Sequence, residues 1–230
     1  MKFIRVFLIA VLFVGCSKHR VPDTIKSTSG SAARHDSTRS VQDRGNSFHN
    51  LAFDKAVAAR EFKVMGKVSG GARWTDANGE NTLIISEEST HGKKQSEPTI
   101  QKIFGYLYAK RDSTRLLWKM EDNAENYCDH GVGLASNIIV QDLDGDGVAE
   151  NLFVYNIAGA CDVSPIQYKL MLHSGLRKFA VRGTTRVKPG GSLATGGEKK
   201  FDADFDSAPA SYKQAASDLW DKIVGAEALP

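Results

Sequence analysis

Apolar residues recur in short alternating runs from about residue 51 onward, and this pattern predicts a mainly β fold. Turn-type residues separate the runs, as at Asp76-Ala77-Asn78-Gly79 and at Ser174-Gly175. Such short connections favour antiparallel neighbours, so we expect a β-meander or sandwich-like sheet. The predicted strands occupy residues 63–68, 71–75, 82–86, 100–109, 115–120, 136–140, 152–156, 166–173 and 177–182.

Helical spacing appears at both ends of this β-rich region and adds an α component. Residues 51–62 place Leu51, Ala58 and Phe62 at helical intervals and predict a short first helix. Residues 186–200 are rich in glycine and predict a loop. After it, Ser207 is the expected N-cap of a C-terminal helix packed on the sheet. The predicted buried stripe of that helix is Tyr212, Ala216, Leu219 and Ile223.

The first 50 residues do not carry the pattern of a folded domain. Residues 1–15 join Lys2 and Arg5 to a short apolar core, which is typical of a secretory signal. The run Leu12-Phe13-Val14-Gly15-Cys16 resembles a bacterial lipobox, in which Cys16 is lipidated; the alternative is a simple secretory signal with an incidental cysteine. Ser17 after that cysteine resembles lipoproteins sorted to the outer membrane. Residues 16–50 are then the lipidated cysteine and a disordered tether, and residues 51–230 a single β-rich globular domain.

Charge is distributed unevenly between these parts of the 230-residue chain. The whole sequence has a formal charge of +3, but the signal and tether are basic, and residues 51–230 hold 22 basic and 24 acidic residues. A domain of net charge −2 lacks the basic character of a nucleic-acid-binding domain, so nucleic acid is not an expected partner.

An acidic run between two predicted strands carries the clearest chemistry. Asp142, Asp144 and Asp146 alternate and Gly147 follows, which is the spacing that turns carboxylates inward around a hard cation such as Ca²⁺. Glu150 is the expected late carboxylate and Val148 the expected carbonyl ligand. Phe153 stands where an EF-hand has its bidentate glutamate, so the segment instead resembles the strand-loop-strand calcium loops of β-propeller blades. The alternative is a metal-free turn, because Asp and Gly also favour ordinary turns. A second alternating run, Asp202, Asp204 and Asp206, lacks the glycine and is expected to begin a helix.

Cys128 and Cys161 remain once Cys16 is assigned to lipidation. In an exported domain two thiols most simply form one disulfide, which would bracket the acidic run. The alternative is a metal or nucleophile site with His130, although the Cys-x₂₋₄-Cys spacing of zinc sites is absent. Trp74, Trp118 and Trp220 are expected in the core rather than on a sugar-binding surface.

Several longer segments resemble a known family of exported proteins of the Bacteroidetes group, labelled surface polysaccharide biosynthesis proteins. The resemblance covers residues 79–220 and implies a location in the cell envelope, a weak association with surface glycans and a cysteine near Cys128 paired with Cys161. The resemblance identifies no catalytic residues. It is carried by Gly79-Glu80-Asn81, the acidic run, Ala160-Cys161-Asp162-Val163-Ser164-Pro165, Lys169-Leu170-Met171-Leu172-His173 and residues 179–185.

Two functions are therefore expected from the sequence. The first is a lipid-anchored envelope protein with a structural Ca²⁺, acting as a binding or assembly module for surface glycan or envelope proteins. The alternative is a hydrolase of envelope glycans that uses a carboxylate pair among Asp129, Asp162 and Glu150. Glycoside hydrolysis needs two carboxyls about 5 to 9.5 Å apart across a groove, a geometry that sequence does not reveal.

Overall fold

The computed structural model describes residues 48–92, 98–126, 131–158, 164–188, 190 and 193–226, and within them the predicted mainly β fold is confirmed. Two α-helices accompany the strands, α1 (Lys55–Glu61) and α2 (Ala210–Ile223). The strands are β1 (His49–Leu51), β2 (Lys67–Asp76), β3 (Gly79–Thr90), β4 (Thr99–Lys110), β5 (Thr114–Asn126), β6 (Gly133–Leu134), β7 (Ile139–Gln141), β8 (Glu150–Ala158), β9 (Gln167–Ser174), β10 (Arg177–Thr184), β11 (Arg186–Val187), β12 (Thr195–Gly196) and β13 (Lys199–Phe201).

These strands form two antiparallel sheets and one small pair. The first sheet is a meander in the order β1-β2-β3-β4-β5. The second sheet has the order β13-β10-β9-β8, and both β6 and β7 pair with β8. Strands β11 and β12 pair separately. Every pairing is antiparallel, as the short connections predicted.

The two sheets pack face to face around one apolar core. Alternate residues of each strand point to opposite faces, so Leu83 and Ile85 of β3 meet Phe153 and Tyr155 of β8, and all four are fully enclosed. The residues between them point outward and pack against helices. This alternation makes the domain a sandwich in which both sheets have two apolar faces near their centres.

Each sheet carries a helix on its outer face. Ala58 of α1 packs on Ile84 of the first sheet. On the second sheet, α2 buries Tyr212, Ala216 and Leu219 against a face that includes Leu170, which confirms the predicted C-terminal helix on a sheet. Neither described helix is long and apolar enough to cross a membrane.

The structure corrects several predicted boundaries. Leu51 belongs to β1, and α1 begins only after Asp54, whose carboxylate accepts a 2.9 Å hydrogen bond from Val57 N. Ser207 does not cap α2: it ends a 3₁₀ turn (Ala203–Ser207), and Pro209 is the N-cap residue. Of the two strands predicted over residues 63–75, residues 63–66 are not part of any strand, and residues 67–75 belong to one strand, β2, with an irregularity in its pairing. The glycine-rich segment predicted as a loop contains three short strands.

Other predictions concern residues outside the described ranges. They include the signal at residues 1–15, the lipidated Cys16 and the greater part of the tether. Cys128 and Cys161 also lie outside those ranges, so their disulfide stays a prediction. The same holds for Asp129, His130 and Asp162.

Candidate metal centre at the acidic loop

The acidic loop, residues 142–149, connects β7 to β8 at one end of the second sheet. The two strands pair up to Gln141 opposite Glu150, so the chain must reverse direction within the loop. Gly145 and Gly147 have φ angles of 78° and 85°, in the left-handed region that favours glycine. The strand-loop-strand arrangement predicted for this segment is therefore confirmed.

Three carboxylates of the acidic loop converge. One carboxylate oxygen from each of Asp142, Asp144 and Asp146 lies within 4.8 Å of the other two. Among the described residues, this group of side chains could hold a metal ion. Asp142 is half-buried and the other two are exposed. Backbone amides orient the carboxylates: Gly145 N and Gly147 N donate to Asp142 (2.8 and 3.0 Å), and Val148 N donates to Asp146 (2.7 Å). Oxygen-only ligands of this kind suit hard cations.

Glu150, predicted as a further ligand, has a different environment. Glu150 is completely enclosed, and both of its carboxylate oxygens accept hydrogen bonds. Leu143 N donates to Oε2 (2.8 Å), and the Tyr212 hydroxyl donates to Oε1 (2.9 Å). Burial raises the pKa of Glu150 above its usual range, and the nearby charge of Asp144 adds to that effect. Glu150 therefore lies beside the three converging aspartates but is not one of the converging group.

The hydroxyl of Tyr212 joins α2 to the acidic loop. It lies 2.7 Å from Asp144 Oδ2, 2.9 Å from Glu150 Oε1 and 3.0 Å from Ser174 Oγ. A hydroxyl has one hydrogen, so two carboxylates compete for a single donor at this point. A positive charge near Asp144 would relieve the resulting repulsion.

Asp76 joins the first sheet to the other side of the loop. Its Oδ2 accepts hydrogen bonds from Trp74 Nε1 (2.9 Å) and Ala149 N (3.2 Å), and the residue is buried. Beside it, Ala77 N donates to Gly147 O at 2.9 Å. The loop is thus held between the turn after β2 and helix α2, and it contacts both sheets and a helix.

Sequence reasoning found the three aspartates but missed Tyr212 and Asp76 as their supports. Tyr212 was predicted only as a buried helix residue, and it lies 68 positions from Asp144. Asp76 was predicted only as part of a turn. No local pattern indicates these partners, because the contacts arise when the sheets and helix pack. The predicted core positions of Trp74 and Trp220 are confirmed, whereas Trp118 is only partly buried.

Comparisons with protein-family models, curated proteins and solved structures give no match for this chain. The functional argument therefore depends on the residues and geometry of the chain itself.

Proposed function

We propose that the chain is a lipid-anchored protein of the cell envelope that holds a structural Ca²⁺ in its acidic loop. Its β-sandwich would act as a binding or assembly module at the outer membrane, with surface polysaccharide or envelope proteins as partners. The observation that carries the metal assignment is the convergence of Asp142, Asp144 and Asp146 at a loop bonded to both sheets and to α2.

Calcium is favoured over other cations by the kind of ligand that the loop offers. Ca²⁺ takes six to eight oxygens in flexible geometry, whereas Mg²⁺ demands a nearly ideal octahedron, and thiol or imidazole ligands favour transition metals. Here three carboxylates would be completed by the Val148 carbonyl and water. We assign Glu150 a structural role in the loop instead of a place among the metal ligands, because its oxygens are already hydrogen-bonded to Leu143 N and the Tyr212 hydroxyl.

The position of the loop favours a Ca²⁺ ion that stabilises the fold over one that acts as a sensor. An ion that binds only the folded state adds RT ln(1 + [L]/Kd) to the free energy of unfolding. With the Kd of about 10⁻⁴ to 10⁻³ M typical of extracellular modules, about 2 mM Ca²⁺ contributes about 0.6 to 1.8 kcal/mol. Since the loop bridges the sandwich and α2, that stabilisation would act on the whole domain.

Thermal melting of the full-length chain tests the metal assignment. We expect EDTA to lower the Tm by roughly 1 to 7 °C relative to 2 mM Ca²⁺, and added Ca²⁺ to restore it. Asp144→Ala should abolish this difference. The matched control, Asp206→Ala, removes an exposed aspartate from the other acidic run and should preserve it. Identical melts of the unsubstituted chain in EDTA and in Ca²⁺ would disprove the assignment.

The binding role is tested separately, by a pull-down from envelope extract with the full-length chain in Ca²⁺ and in EDTA. We expect glycan or envelope protein to be retained, and retained better in Ca²⁺. The alternative function, glycan hydrolysis, gains no support from Glu150, because that carboxylate is enclosed and hydrogen-bonded. Asp129 and Asp162 lie outside the described residues.

A further inference from the structure

A cleft of about 520 Å³ runs along the outer edge of β5, the last strand of the first sheet. Its lining includes five consecutive residues of that strand, from Trp118 to Asp122. Successive side chains of a strand point to opposite faces, so a cleft that contacts all five residues follows the edge of the strand and its main chain. The volume is within the range of ligand sites, roughly 300 to 1,000 Å³.

The main chain of β5 has an unpaired side along this cleft. Among the described residues, β5 pairs with β4 alone, and this pairing is continuous from Trp118 to Asn126. No other main-chain hydrogen bond joins β5 to a described residue. In an antiparallel ladder, alternate N–H and C=O groups point away from the paired strand. β5 therefore presents a row of main-chain donors and acceptors, which is a template for another strand.

The usual protections of an edge strand are weak along the cleft. Such strands are commonly guarded by proline, by a bulge or by charged side chains. β5 contains no proline, and its one irregularity precedes Trp118. Its inward-pointing charge, Asp122, is neutralised by Lys169 Nζ at 2.7 Å. Lys119 and Glu121 have opposite charges, so they select a complementary strand instead of repelling every strand.

The second sheet extends beneath the place that an added strand would occupy. Trp118 of β5 reaches β9, where its ring stacks on His173 with a centroid distance of 3.9 Å. Strand β10 lies beyond β9, and its Lys178 also lines the cleft, as does Leu176 in the turn between the two strands. Leu176 is 75% exposed. A strand beside β5 would therefore bury apolar surface as well as form main-chain hydrogen bonds.

The side chains of β5 define the chemistry of the strand that fits. Lys119 and Glu121 are exposed on the outer face, whereas Trp118 and Met120 point inward and pack against the core. Opposite charges in directly opposite positions stabilise an antiparallel pair, and like charges destabilise it. A fitting strand has a basic residue opposite Glu121, an acidic residue opposite Lys119 and apolar residues at the inward positions.

We propose that the β5 edge binds an extended segment of a partner protein as an added antiparallel strand. Main-chain hydrogen bonds to residues 118–122 supply the affinity, and the alternation of apolar with oppositely charged side chains supplies the specificity. This inference rests on the assembly role proposed above, for which it specifies a polypeptide partner. No residue of the acidic loop lines the cleft, so we expect binding without Ca²⁺.

Calorimetric titration of the full-length chain in EDTA tests the site with a designed peptide, acetyl-Thr-Lys-Val-Glu-Val-amide. Aligned antiparallel to β5, it places its lysine opposite Glu121, its central valine opposite Met120 and its glutamate opposite Lys119. A control peptide has the lysine and glutamate exchanged. We expect saturable binding of the designed peptide and at least about threefold weaker binding of the control, because like charges would then lie opposite each other. Absence of saturable binding by the designed peptide, or equal affinity of the two, would overturn the proposal.

Two N-methylated forms of the designed peptide test the main-chain hydrogen bonds directly. One form is methylated on the nitrogens of both valines, and the other on those of the lysine and glutamate. The N–H groups of alternate residues point to the same edge of a strand, so only one form can keep its donors to β5. We expect that form to bind as the unmethylated peptide does and the other at least about tenfold more weakly. Equal affinity of both forms would contradict strand addition.

Amide hydrogen exchange locates the bound peptide. Alternate amides of residues 118–122 should exchange fast in the free chain and become protected at saturation. Peptide binding without new protection in β5 would show that the peptide lies elsewhere and would contradict the site. Slow exchange of all these amides in a free chain that sediments as a dimer would place a second copy at the edge, which also overturns a peptide partner.

A pair of exposed leucines provides matched variants of the chain. Leu176→Ser removes the apolar side chain beside the cleft and should weaken peptide binding at least about threefold. Leu193→Ser, at a position 92% exposed and outside the cleft lining, should leave it unchanged. Equal affinity in the two variants would overturn the proposed floor. Absent peptide binding together with an intact Ca²⁺-dependent melt and partner capture would overturn this inference and leave the proposed function standing.

Discussion

At the scale of single residues, His173 is the least expected member of the core. It lies on the inner face of β9, where its neighbours are Trp118 and Phe153, and a polar ring there must give up its contact with water. Its pKa of about 3 in the folded chain is well below the value of about 6.5 expected in the unfolded chain. The unfolded state therefore binds a proton that the folded state rejects.

This difference in pKa predicts that the free energy of unfolding decreases as the pH falls. Because the folded pKa is depressed, the contribution of His173 is complete above about pH 6.5 and is lost as the pH falls toward 3, at up to about 1.4 kcal/mol per pH unit. We expect the free energy of unfolding, from urea titrations between pH 7 and pH 4.5, to fall less steeply for His173→Phe. His91→Phe, at an exposed position, should keep the original slope. Parallel pH profiles for His173→Phe and the unsubstituted chain would contradict the assignment.

At the scale of elements, α2 does more than cover the second sheet, because Tyr212 links it to the acidic loop. The hydroxyl of Tyr212 lies where Asp144 and Glu150 meet, and Glu150 is completely enclosed. Removing that hydroxyl takes one donor from a completely enclosed carboxylate, which keeps Leu143 N and the Ser174 hydroxyl as partners, and losing a hydrogen bond to a buried carboxylate is costlier than losing an exposed one. The docking of α2 and the order of the loop should therefore be coupled.

Tyr212→Phe tests this coupling. We expect it to lower the free energy of unfolding by about 1 to 3 kcal/mol. Tyr108→Phe is the matched control, since its hydroxyl makes one exposed hydrogen bond, to Lys63 O at 2.9 Å, and we expect a loss of under about 0.5 kcal/mol. Both values come from chemical denaturation in Ca²⁺. Equal losses in the two variants would show that the Tyr212 hydroxyl does not couple helix and loop.

The strands were largely predictable from sequence because each carries its own alternating pattern. Strand β4, predicted over residues 100–109, extends over Thr99–Lys110, and the strongly patterned hairpin of β9 and β10 is close to its predicted bounds. The short strands were not predictable. β11, β12 and β13 have only two or three residues each, too few to establish a period, and their pairing partners define them. Leu51 has the spacing of a helix residue, but pairing with Arg73 places it in β1.

At the scale of the whole molecule, the acidic loop and the ion pair between the two sheets differ in how far the sequence could reveal them. The aspartates of the acidic loop are near neighbours in the chain, so local spacing was enough to predict their convergence. Asp122 of β5 and Lys169 of β9 form an ion pair at 2.7 Å between the two sheets, and each has an ordinary strand context in sequence. Only the packing of one sheet on the other brings them together. Contacts of this second kind require the tertiary structure.

The covalent link predicted between Cys128 and Cys161 also belongs to this scale. Both cysteines lie outside the described residues, but the described chain near them converges. Asn156 Nδ2 donates to Gly131 O, and Leu134 pairs with Tyr155. Gly131 is three positions from Cys128, and Asn156 is five positions from Cys161. The bond would therefore join the segment after β5 to the segment after β8.

Mass spectrometry and denaturation test that bond in chain exported with its own signal. We expect alkylation of Cys128 and Cys161 only after reduction. Cys128→Ser and Cys161→Ser should each lower the free energy of unfolding by about 4 kcal/mol, the loop-closure value for a segment of this length. The double variant should cost no more than either single one, because one lost bond accounts for both changes. Two alkylatable thiols without reduction, or additive losses in the double variant, would show that the two cysteines are not paired.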